Sequence, residues 1–104
     1  MIPRGTTAVI EYVFKTIDPA NIVECYLTIV QGDVTIEKDL DDATVGTNKL
    51  TWQLTQAETL RFNASKDIER QIRYLTSDGN AYISPVTKTK SYRVLKDGVI
   101  TAGE

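Results

Sequence analysis

Between residues 8 and 14 the chain alternates. Ile10, Tyr12 and Phe14 fall on one face, and Val9, Glu11 and Val13 on the other. A period of two is that of a β-strand, and the valines on the second face predict that it is at least half covered. Residues 22–30 alternate in the same way, with Val23, Cys25, Leu27 and Ile29 opposite Glu24, Tyr26 and Thr28. Gln31-Gly32-Asp33 reads as a hairpin turn, and residues 34–38 as the returning strand. Asp39, Asp41, Asp42 and Gly46 mark a polar loop. Leu50, Trp52 and Leu54 then alternate with Thr51 and Gln53, predicting a strand with its large side chains inward.

After Leu54 the period changes. Thr55-Gln56-Ala57-Glu58 has the form of a capping box, in which hydroxyl and carboxylate each take the other residue's backbone N–H. It predicts one short helix ending near Phe62 and Asn63, anchored by Leu60 with help from Phe62. Residues 68–76 and 81–89 read as paired strands around Ser77-Asp78-Gly79-Asn80, whose Asp-Gly centre suits a type I′ turn. That register sets Tyr74 against Ile83, Ile72 against Pro85 and Glu69 against Lys88. Proline lacks the N–H that a central strand needs, so Pro85 marks an edge or a bend. Earlier in the chain, Asp18 can cap a helical turn that opens on Pro19. Residues 91–95 read as a last strand, followed by a turn at Lys96-Asp97-Gly98. Residues 1–7, with Pro3 and Gly5, read as an extended arm whose removal leaves stability nearly unchanged.

Short strands with turn signals at close intervals predict one all-β domain over residues 1–104. The expected architecture is an antiparallel, immunoglobulin-like β-sandwich of about seven strands with one short helix. A net charge of −2 offers no global field for nucleic acid or an anionic membrane. Charge is nonetheless sorted along the chain. Residues 1–65 carry 5 basic and 9 acidic side chains, and residues 66–96 carry 7 basic and 3 acidic. Unless folding interleaves the two segments, the sorting favours head-to-tail contact between copies. The start of the chain lacks a charged-then-apolar signal pattern, and the apolar run around residues 22–30 is too short to span a bilayer.

Candidate chemistry is sparse. Histidine is absent and Cys25 is the single cysteine, which excludes an intrachain disulfide, a Cys–His pair and a thiolate–imidazole zinc site. Cys25 falls on an apolar face and reads as a small buried hydrophobe. The six glycines form no phosphate loop. Asp33, Glu37, Asp39, Asp41 and Asp42 offer carboxylates for calcium, but their spacing misses the known calcium loop and reads as a solvated acidic loop. Arg70, Arg73, Lys88, Lys90 and Arg93 lie near Tyr74, Tyr82 and Tyr92. Such a basic and aromatic face can take single-stranded nucleic acid or sugar, although Tyr74 itself falls on the apolar side. No catalytic residue, metal site or cofactor is expected.

Four stretches carry a family resemblance: Arg4-Gly5-Thr6-Thr7, the box from Leu54 to Phe62, Gln71-Ile72-Arg73 with Asp78-Gly79, and the terminal VLKDGVI. Together they resemble a family of small, uncharacterised proteins encoded in the structural-gene regions of phages and prophages of Firmicutes. Ala8 stands where that family usually has proline, and Ala57 is the one substitution in the box. The resemblance implies a virion structural or assembly protein, tail- or baseplate-associated, acting by protein–protein contact with other copies or other phage structural proteins. It implies a location in the virion, or in the host cytoplasm during assembly. Arg4, Thr6, Thr7, Tyr26, Tyr82 and Tyr92 are the candidate interaction residues. Two rival readings are a carbohydrate- or host-surface-binding module, which an exposed patch of Tyr26, Tyr82 and Tyr92 would favour, and a small regulator that binds a host or phage protein.

Overall fold

The structure is a computed structural model that describes residues 2–64, 66–91, 95, 96 and 98–101. Eight strands fill 46% of it, arranged as two antiparallel sheets with only short helical turns, an all-β sandwich. The strands are β1 (Val9–Val13), β2 (Ile22–Gln31), β3 (Val34–Asp39), β4 (Thr44–Gly46), β5 (Lys49–Gln53), β6 (Ile68–Thr76), β7 (Ala81–Ile83) and β8 (Thr87–Thr89), with helix α1 (Gln56–Thr59) between β5 and β6. One sheet has the order β1-β5-β4. The other runs β3-β2-β6-β7, with β8 also paired to β6.

The alternation places the core. Ile10 from β1, Leu50 and Trp52 from β5, Leu27 and Ile29 from β2, and Ile68 and Ile72 from β6 are all buried between the layers. The Trp52 indole also donates to the Asp39 carbonyl at 3.0 Å, tying the smaller sheet to the end of β3. The outer face of β1 differs from expectation. Val9 and Val13 are 56% and 64% exposed, because no third layer lies over this sheet. On β2 the expected inward set loses Val23. The ladder to β6 shifts between Ile22 and Glu24, so the extra residue turns outward and Ile22 takes its place in the core.

The two hairpins of the larger sheet close differently. Gln31 pairs with Val34 around Gly32-Asp33, and Gly32 adopts φ 55°, the positive value expected at the first turn position of a type II′ turn. The second hairpin is one residue out of the expected register. Tyr74 pairs with Tyr82 and Arg73 with Ile83. The Asp78 carboxylate accepts from the Thr76 hydroxyl and the Asn80 N–H, and Gly79 alone takes positive φ. These bonds close a three-residue turn in place of type I′. Beyond Ser84-Pro85-Val86 the expected register returns, and Glu69 faces Lys88. The bend at Pro85 therefore absorbs one residue, on the strand position that forms the sheet edge.

Three local expectations change. The polar loop after Asp42 contains β4, which pairs with β5 through a turn where Asn48 holds φ 63°. The helix is anchored by Thr59 and Phe62, both buried, while Leu60 is half-buried. Residues 2–7 are not a loose arm. Ile2 is buried in the core and its N–H donates to the Lys90 carbonyl at 3.0 Å. The expected strand at 91–95 and the Lys96-Asp97-Gly98 turn fall mainly outside the described residues.

Candidate functional site

The capping box forms as the sequence predicts. Thr55 Oγ1 accepts from the Glu58 N–H at 3.1 Å, and Glu58 Oε1 accepts from the Thr55 N–H at 2.8 Å. Burial alone would raise the Glu58 pKa, but the Lys38 ammonium at 2.6 Å and the Thr55 N–H hold it below the usual carboxylate value. The box presents Thr59 to the segment before β1. Thr59 Oγ1 accepts from the Thr6 N–H at 3.0 Å and lies 2.8 Å from the Thr6 carbonyl. Arg4 donates to the Leu60 carbonyl at 3.1 Å. The expected interaction residues Arg4 and Thr6 thus brace the chain's own start. Thr6 and Thr7 also line a shallow depression of about 480 Å³ with Gly5, Gln56, Ile100 and Thr101. There the Gln56 amide accepts from the Ile100 N–H at 2.7 Å and donates to its carbonyl at 3.1 Å.

Tyr26 and Tyr82 both line a groove of about 230 Å³ with Glu24, Arg73, Tyr74 and Leu75, but from opposite faces of the larger sheet, since Tyr26 stands opposite Arg73 and Tyr82 opposite Tyr74. Tyr26 is 44% exposed and Tyr82 39%. The Tyr82 ring stacks on Tyr74 at 5.2 Å, and Phe14 meets Tyr74 edge-on at 5.3 Å. Burial, and then the neighbouring Tyr82, raise the Tyr74 pKa. This volume is below the few hundred Å³ usual for a small-molecule pocket, so the groove suits a surface contact. Tyr92 lies outside the described residues.

The expected basic face is not gathered in one place. Arg70 turns inward, with its guanidinium carbon 4.9 Å from the centre of the Tyr12 ring. Burial raises the Tyr12 pKa and Arg70 opposes the rise. Lys88 stands opposite Glu69, and Lys90 lies 3.9 Å from Asp67. Both pairings lie within residues 66–96, and in the larger sheet β3 and β2 of the acidic stretch stand beside β6, β7 and β8 of the basic one. Asp39 and Asp42 of the acidic loop accept from each other's backbone N–H, at 3.2 and 3.3 Å, as a cap for a 3₁₀ turn. Among the described residues no three acidic, histidine or cysteine side chains gather to hold a metal ion. Cys25 is buried and its thiol is pushed up to about 12 by burial, and further by Glu24, so it stays protonated at neutral pH. No helix among the described residues is long and apolar enough to cross a membrane.

The smaller sheet holds the feature that most invites a partner. Phe14 N–H donates to the Asn48 carbonyl at 2.7 Å, and Leu54 N–H donates to the Ala8 carbonyl at 2.8 Å. Even-numbered residues of this segment therefore direct their backbone groups toward β5. Neighbouring residues of an antiparallel strand alternate, so Val9, Glu11 and Val13 direct theirs away. Among the described residues nothing pairs with them. The edge has neither proline nor bulge, and its one charge, Glu11, is drawn 3.5 Å from Lys49. Comparisons with family models, curated proteins and solved structures find no match.

Sequence reasoning missed Gln31. Its buried amide accepts from Asn63 N–H at 2.5 Å and donates to the Asn63 and Lys66 carbonyls at 2.6 and 2.9 Å. A glutamine beside a turn signal reads as solvated. Only the fold brings the loop after α1 against it.

Proposed function

We propose that the protein is a structural or assembly component of a phage or prophage particle, tail- or baseplate-associated, that acts by protein–protein contact and without catalysis. The observation that carries the reading is the open β1 edge, whose unpaired backbone groups are flanked by exposed Val9 and Val13. The resemblance of the Leu54–Phe62 box and the opening Arg4-Gly5-Thr6-Thr7 to proteins of phage structural-gene regions supplies the biological setting. Partners are other copies or the products of neighbouring genes. The test is sedimentation of the protein alone and with each neighbouring tail or head gene product. A complex with one of them supports the reading, and a monomer in every mixture overturns it.

A second reading has its own observation. Tyr26, 44% exposed on the outer face of the larger sheet, lines a groove beside Arg73 and Glu24, a surface that can stack on a sugar ring and hydrogen-bond its hydroxyls. Binding on a glycan array that is lost in Tyr26→Ala and Tyr82→Ala would support a carbohydrate-binding module. Retained binding in both variants would remove the groove from it.

A further inference from the structure

Phe14 meets Tyr74, and Tyr12 lies under Arg70, so β1 sits over β6. The larger sheet continues past β6 into β7 and β8, whereas the smaller sheet stops at β1. Among the described residues one strand position is therefore vacant beside β1 and above β7 and β8. Strands lie about 4.8 Å apart within a sheet, so the space is one strand wide. Its wall is the unpaired edge of Val9, Glu11 and Val13. Its floor is the inward side of Tyr82, Thr87 and Thr89, which stand opposite Tyr74, Arg70 and Ile68. It closes near Lys90, whose carbonyl is taken by Ile2.

Resting on the assembly reading, we infer that this slot accepts one extended segment of a different protein chain, added to β1 as a fourth strand. Its residues facing Tyr82 are apolar, and the residue beside Glu11 is basic. The width decides against two whole sandwiches joined β1 to β1, because β7 and β8 of both copies would have to share the space beneath. Among the described residues a second copy is also a poor donor, because residues 2–7 are held by Thr59, Leu60 and Lys90, and Ile100 by Gln56.

The test attaches a donor strand to the full chain. A nine-residue peptide alternating threonine and valine, with lysine at its centre, is joined after Glu104 through a flexible glycine–serine linker, which supplies a high effective concentration. Amide exchange of Val9, Glu11 and Val13 slows by about tenfold, and the thermal midpoint rises. A peptide of scrambled order does neither. In Glu11→Pro only an outward N–H is lost, so the gain disappears. Should that variant fail to fold, Glu11→Lys loses the gain and a glutamate-centred peptide restores it. Unchanged exchange of these three amides, or protection that survives Glu11→Pro, overturns the inference. If the tethered strand is refused while a complex with a neighbouring gene product still sediments, the slot falls and the assembly reading stands. If the strand is accepted and no complex forms, the slot stands and the assembly reading falls.

Discussion

β1 and β5 are neighbours of equal length, paired residue for residue from Val9 against Gln53 to Val13 against Lys49. Both send alternate large side chains into the same core. Yet among the described residues β5 has a strand on each side, and β1 has a strand on one side only. β5 is paired along its whole length with β1 and from Lys49 to Thr51 with β4, whereas half of the backbone of β1 faces away from the sheet. The central strand is a matter of stability. The edge strand shares the core on one face and, among the described residues, leaves its other backbone groups unpaired. A break in β5 should therefore cost folding, and a break on the outer side of β1 should cost only recognition.

The largest expected effect lies on β5. Trp52 is fully buried, meets Tyr12 edge-on at 6.2 Å and donates to the Asp39 carbonyl. Trp52→Ala should cost about 3–5 kcal/mol, much of a small domain's stability, read from denaturant or thermal unfolding. The native tryptophan fluorescence of the parent should be blue-shifted from that of the free amino acid. A maximum as red as free tryptophan would contradict this burial.

Next comes the segment ahead of β1. Deleting residues 1–7 removes Ile2 from the core and leaves the buried Thr59 hydroxyl without Thr6. Ile2→Ala alone should cost about 2–5 kcal/mol, and the deletion at least as much. Truncation that leaves the thermal midpoint in place would restore the loose arm predicted from sequence.

How much of this was legible depends on whether the controlling contact is local. The β5 face of Leu50, Trp52 and Leu54 and the Thr55–Glu58 box are set by spacing alone, and both appear as read. The second hairpin was not, because Asp-Gly can close a turn of two or three residues. Here the Asp78 carboxylate chooses three by capping the Asn80 N–H. The bulge at Val23 has no glycine or proline to announce it. The burial of Ile2, and the placing of Tyr26 and Tyr82 on opposite faces of one sheet, depend on segments distant in sequence, and periodicity carries no information about them. That β1 carries no proline is visible in the sequence, but that it is an edge is not. The vacant strand position beside it follows only from comparing the widths of the two sheets.

The cap between β5 and β6 sharpens the contrast at intermediate scale. Thr55→Ala should cost about 1 kcal/mol, and Thr55→Ser much less, since serine keeps the accepting oxygen. Equal losses would mean that the methyl group packs and the hydroxyl does not cap. Glu58 adds a pH dependence of known sign. Its carboxyl is held low in the fold, so its contribution is fully present above the unfolded value, about 4.3, and is lost as pH falls through the lower folded value. Acid unfolding of Glu58→Gln should lack that part of the decline below about pH 4. A parallel decline in both proteins would show that the Lys38 contact contributes nothing.

The smallest effect is expected on the outward side of β1, and it is the one that decides the comparison. Val9 and Val13 are more than half exposed and touch no third layer. Replacing either by threonine keeps the β-branched shape and the strand preference, so the unfolding free energy should stay within about 0.5 kcal/mol of the parent. Ile10→Ala, one position along but buried, should cost about 2–5 kcal/mol. A clear loss in Val13→Thr would mean that the outer face of β1 is already covered within the molecule. No loss in Val13→Thr, together with weaker capture of an added strand, would place its value in contact with another chain.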